Sequence, residues 1–189
     1  FIGILNPITI IQILWINMVM DTLAGLAFSY EPALLEYMME SPKKRDEKII
    51  NKYMINQILC NGIYTSLLCT WFLKSQLIGK IYHTDISNKY IMTAFFGLFI
   101  FITIFNAFNA RTYRINTFSN LLKNKVFIGI VLFIAIVQVI LIYFGGTLFR
   151  TTGLSIYEFE IMLILAFSII PFDFIRKIIL KKRGMPRKI

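Results

Sequence analysis

The chain has 189 residues, of which 57% are hydrophobic, 15% aromatic and only 16% charged, and its mean hydropathy is +0.69. Soluble domains carry about 25% charged residues and 45–50% apolar ones, so this composition excludes an ordinary soluble domain and a disordered chain, and it reads as a membrane protein. A formal charge of +10 on so apolar a chain points to basic loops at the cytoplasmic face of a bilayer, with membrane lipid and no nucleic acid as the partner.

A bilayer core needs roughly 20 apolar residues per helical span. Charge-free stretches of that length run over residues 1–20, 53–73, 90–110 and 126–149, and the first continues past Asp21 to Tyr30. A fifth, at 161–172, reaches spanning length by taking in Tyr157 to Glu160 on one side and Asp173 to Ile175 on the other. The expected fold is an all-α membrane protein, one domain over 1–189, with five transmembrane helices at about 8–29, 53–74, 90–110, 126–147 and 157–178. Asn6-Pro7 is expected to open the first helix, since proline is tolerated at the first helical position. Ser41-Pro42 breaks the following loop, and Gly145-Gly146 ends the fourth span. Cys60 and Cys69 share one apolar run, where a thiol behaves as a small buried hydrophobe.

Orientation follows from the basic residues of the loops. The loop from Glu31 to Lys52, the loop from Arg111 to Lys125 and the C-terminal tail together hold sixteen Lys and Arg, whereas the opposite side holds four: Lys74, Lys80, Lys89 and Arg150. The C-terminus is therefore expected in the cytoplasm and the N-terminus outside.

An ionisable residue at membrane depth is costly and is by default a functional hypothesis. Asp21 is the clear instance, and Asn17 lies four residues before it, so on a helix the carboxylate and the amide oxygen share a face one turn apart. Such hard oxygens suit Ca²⁺ or Mg²⁺. Equally, the pair could serve only to hydrogen-bond neighbouring helices. Gly25, one turn further, would permit close helix approach or local unwinding. The other polar residues have plainer readings. Gly62 and Ser66 form a small face for helix packing; Asn56, Asn61, Asn106 and Asn109 suit interhelical hydrogen bonds ahead of a polar pathway; His83 has no partner spacing for a metal site. Glu158 and Glu160 mark the outer end of the fifth span, Asp173 pairs locally with Arg176 and Lys177, and KKRGMPRK anchors the tail at the cytoplasmic face.

The run LWINMVMDTLAGLAFSYEP, residues 14–32, resembles the sixth transmembrane helix of P-type cation-transporting ATPases, most closely the calcium pumps of plasma-membrane type. FNAFNAR, residues 105–111, is similar to the cytoplasmic end of their eighth helix, and PFDFIRK, residues 171–177, to the end of the tenth helix in bacterial members. The resemblance implies that the chain corresponds to the sixth to tenth helices of such a pump, in the cell membrane, with Asn17 and Asp21 as metal ligands for Ca²⁺ as the transported ion. Met20 stands where pumps carrying two calcium ions have a threonine, and Thr103 falls near a position that is acidic in them. A thioether is a poor ligand for a hard cation, so both departures imply one ion per cycle. DKTGT, TGE and PEGL do not occur in these residues. The resemblance therefore leaves ATP and Mg²⁺ to the remaining N-terminal part of the pump, and this chain is not expected to hydrolyse ATP by itself. The alternative is a non-catalytic helical scaffold whose polar residues only direct helix packing.

Overall fold

The computed structural model describes residues 7–32, 50–82 and 88–183, and among these every regular element is helical. Ser41-Pro42, His83, Asn6 and the end of the basic tail lie outside the described residues. Helix α1 runs over Ile10–Ser29. It opens not on Asn6-Pro7 but on Thr9, whose hydroxyl accepts from the Gln12 N–H at 3.2 Å while Gln12 Oε1 accepts from the Thr9 N–H at 2.7 Å. This reciprocal cap satisfies two donors that a bare helix start would leave open, so it overrides the proline signal two residues earlier.

Helix α2 is Lys52–Lys74, capped by the Asn51 side chain on the Met54 N–H at 2.8 Å, and the short α3 is Gln76–Ile81. Helix α4 is Lys89–Arg111. Helix α5, Lys125–Phe144, stops at Gly145, and the four-residue α6, Gly146–Phe149, follows it. The fifth expected span is two helices, α7 at Ile156–Phe167 and α8 at Ile169–Lys182. Pro171 explains the break: it has no N–H for the Phe167 carbonyl and its ring would crowd that group, so a continuous helix ends there, whereas the first turn of a new one tolerates proline. Three helices, α1, α4 and α5, are long and apolar enough to cross a membrane. Helix α2 is long, but amides such as Asn56, Gln57 and Asn61 lower its hydropathy, and α7 and α8 are each too short alone.

Helix α4 is the hub. It packs against α2, α5, α7 and α8, and 61% of its apolar window is buried, against 17% for α1 and 28% for α5. Phe101 meets Phe159 and Phe105 meets Phe167 edge to face, at 6.0 and 5.5 Å between ring centres. Gly97 lets α7 come close: a Cβ there would run into the Met162 sulfur. At the start of α7, one end of the fifth expected span, Glu158 is buried at 4% exposure, and its carboxylate accepts from the Ser155 N–H and hydroxyl at 2.7 and 2.8 Å and so caps the helix. The Tyr82 hydroxyl donates to the Glu158 carbonyl at 2.8 Å; burial first, and then the Glu158 charge, push its ionisation well above the ordinary phenol range.

Candidate ion site

Asn17 and Asp21 lie on a part of α1 that is not an ordinary α-helix. Trp15–Met20 forms a π-helical turn, which closes when the Asp21 N–H donates to the carbonyl of Ile16, five residues back. Such widened turns are rare and occur often at functional sites. The widening stands at Asn17 itself, about two turns ahead of Gly25, where close helix approach or local unwinding was expected. At Gly25 the helix is regular, and a Cβ would meet nothing among the described residues within 4 Å.

Both site residues are exposed, and the Asp21 carboxylate makes no hydrogen bond or ion pair with the described residues. Met20, between them, is turned inward at 3% exposure. Asp21 and Met20 border a cavity of about 400 Å³ between α1, α4 and α5, whose far wall carries Thr103 and Asn106. Asn17 does not line it. The Thr103 hydroxyl is committed to its own helix, donating to the Phe99 carbonyl at 2.9 Å. Among the described residues no three His, Cys, Asp or Glu side chains come together as a metal site. What the arrangement offers is one unpaired carboxylate at the edge of a mostly apolar cavity, with an amide one turn away. These are oxygens of the kind hard cations take, far short of the 6 to 8 that a Ca²⁺ shell uses.

A second cavity, about 510 Å³, lies between α2 and α4, and Thr103, Asn106 and Ala110 border both. Gly62 and Ser66 line this one and are exposed, so their small face packs against no helix among the described residues. The amides behave as interhelical ties. Asn61 Nδ2 donates to Asn106 Oδ1 at 2.8 Å and to Asp173 Oδ1 at 3.3 Å, and Asn109 Nδ2 donates to the Ile169 carbonyl at 3.1 Å. Asp173 has no exposed surface and is neutralised twice over, by Arg176 Nε at 2.7 Å and Lys177 Nζ at 3.0 Å. Arg176 continues to Asn56 Oδ1 at 3.2 Å and lies over the Tyr53 ring at 5.0 Å.

Gln138 went unnoticed in the sequence. It lies on the buried stripe of α5 with Phe127, Val131, Ile134 and Ile142, one turn beyond the cavity residue Ile134, and neither amide atom has a partner among the described residues. The signal was available, since it is the single polar side chain in the run from Val126 to Ile142.

Comparison with known proteins agrees with this architecture. Residues 5–179 match the family described as "Cation transporting ATPase, C-terminus". The chain is 37% identical to a rice protein, probable calcium-transporting ATPase 6, plasma membrane-type, over 79% of this chain and 15% of that protein. It is 32% identical to the plasma membrane calcium-transporting ATPase mca-1 of Caenorhabditis elegans over 86% of this chain and 14% of that protein, and 32% identical to the calcium-transporting ATPase PAT1 of Dictyostelium discoideum over 81% and 14%. These three relatives are eukaryotic and lend no support to the bacterial likeness of residues 171–177. The chain spans about 15% of the length of the relatives it matches. Helices of spanning length, an acidic group at membrane depth and the family match over nearly the whole chain agree: this is an integral membrane domain that belongs to the cation-transporting ATPases, as their C-terminal region.

Proposed function

We propose that the chain is the C-terminal membrane part of an ATP-driven calcium pump and supplies two ligands, Asn17 and Asp21, to a single intramembrane Ca²⁺ site. The observation that carries this is the Asp21 carboxylate, unpaired among the described residues, set at the end of a π-helical turn and on the edge of a cavity. A buried charge that serves packing finds partners, as Asp173 does. The scaffold reading gives no reason for an aspartate left without one at membrane depth. Relatives named as calcium-transporting ATPases support calcium as the transported ion. The missing oxygens come from the remainder of the pump, which also holds the ATP and Mg²⁺ chemistry.

One ion per cycle is supported by Met20, whose side chain is buried and soft, and by Thr103, whose hydroxyl is already engaged. Five spans are supported by helices at each of the five expected segments, the last formed jointly by α7 and α8. The N-terminus then faces away from the cytoplasm and the C-terminus into it, in keeping with the distribution of Lys and Arg.

The test uses the full-length pump. Asp21→Asn keeps size and one oxygen but removes the charge, so it is expected to accumulate normally, bind no calcium with high affinity and form no calcium-dependent phosphoenzyme from ATP. Calcium bound per phosphorylatable enzyme is the measurement. Undiminished binding in Asp21→Asn returns the residue to a packing role.

A further inference from the structure

Helix α1 is tied at both ends, on either side of its π-helical turn. At the outer end Gln12 Nε2 donates to the Phe149 carbonyl on α6 at 2.8 Å. At the inner end, just past the helix, Glu31 is held through both carboxylate oxygens by two different parts of the molecule. Arg111 Nη1, at the end of α4, reaches Oε1 at 2.8 Å; Asn124 Nδ2, at the start of α5, reaches Oε2 at 2.9 Å. Each of these partners is itself fixed. The Arg111 side chain is 1% exposed, donates through Nη2 to the Thr117 and Ser119 carbonyls and lies over the Phe127 ring at 5.7 Å. Asn124 uses Oδ1 to cap α5 on the Phe127 N–H at 2.8 Å.

A helix end held at one point can swivel, whereas an end held at two diverging points cannot turn about its axis without breaking one of them. We infer that Glu31, with Arg111 and Asn124, is a positioning lock that fixes the rotation of α1 and thereby aims Asp21 at the Thr103–Asn106 wall of the cavity. The inference rests on the proposed ion site. Glu31 does not touch the ion. It stands ten residues from Asp21, about 15 Å along a helix, so on this inference its effect runs through the helix and not through contact with the ion.

That distinction gives opposite signs in one experiment on the full-length pump. Asn124→Asp keeps the cap on α5 but sets a carboxylate against Glu31, which breaks the second hold and adds a negative charge. The lock requires calcium affinity to fall: the calcium concentration for half-maximal phosphoenzyme should rise about tenfold, a typical coupling between contacting groups, with the maximal level within about twofold. A purely electrostatic influence would lower that concentration instead. Combining Asn124→Asp with Glu31→Gln returns a donor facing the new carboxylate and should restore most of the affinity. A calcium dependence that is unchanged or tighter in Asn124→Asp, with Asp21→Asn inactive, overturns the lock and leaves the ion site standing. Normal calcium dependence in Asp21→Asn removes the site, and the lock with it.

Discussion

Asp21 and Asp173 are the same residue type in the same membrane domain, and the fold treats them oppositely. Asp173 is wholly buried between α2, α4 and α8, with Arg176, Lys177 and the Asn61 amide around it. Asp21 is exposed on a widened helical turn with no partner among the described residues. A carboxylate in an apolar medium is tolerable only if something neutralises it. For Asp173 that something is part of the fold. For Asp21, on the proposed reading, it arrives as the transported cation.

One substitution made at both positions tests the contrast most severely. Asp173→Asn leaves Arg176 and Lys177 buried without a counter-charge, and removing one partner of a buried ionic group costs about 3–5 kcal/mol. The variant is expected to accumulate poorly and to denature at a clearly lower temperature in detergent, while Asp21→Asn keeps the wild-type melting temperature and loses calcium binding. Equal melting temperatures for the two variants would erase the distinction between them.

The two glycine environments extend the comparison to packing, with a smaller effect. Gly97→Ala drives a methyl group into Met162 and Ile142 at the α4–α7 contact. Overpacking of that kind costs about 1–3 kcal/mol. Gly25→Ala, on the cavity side of α1, meets nothing within 4 Å among the described residues and should hold its melting temperature or gain slightly from helix propensity. Thermal denaturation of both variants measures the difference. A loss at Gly25 as large as at Gly97 would mean that the α1 face is packed as tightly as the hub.

Much of this was legible in the sequence, and the gaps have physical causes. Helix positions followed from the charge-free runs because a bilayer demands length and apolarity, and both are visible residue by residue. Which helix is central was not visible. Helix α5 is more apolar than α4 yet far less buried, because lipid and protein interior are equally apolar and hydropathy does not separate them. The pair Asn17 and Asp21 was found by spacing, but the π-helical turn between them depends on backbone bonding that spacing does not record. The capping role of Glu158 was not visible because a capping carboxylate and any other acidic residue at a helix end look alike until Ser155 is seen three residues before it. The lock at Glu31 joins residues 80 and 93 positions apart, beyond the reach of any local pattern.

The smallest effect belongs to Thr103, and it tests what kind of polar group belongs to the site. Thr103 and Asp21 line the same cavity from α4 and α1, so position alone would make the Thr103 hydroxyl a candidate ligand. Its hydrogen bond argues otherwise. The proton is given to the Phe99 carbonyl at 2.9 Å, a bond within one turn that a threonine on a membrane helix makes without help from any neighbour. Thr103→Ala then removes one local bond and one methyl group at a half-buried position, a change of about 0.5–1.5 kcal/mol at most. The number of calcium ions bound per phosphorylatable enzyme should stay at one, and the calcium concentration for half-maximal phosphorylation should move less than about threefold, since under 0.7 kcal/mol is a factor of that size. If binding instead collapses as in Asp21→Asn, the hydroxyl turns from the Phe99 carbonyl to the ion when calcium enters, and the cavity wall on α4 is part of the coordination shell.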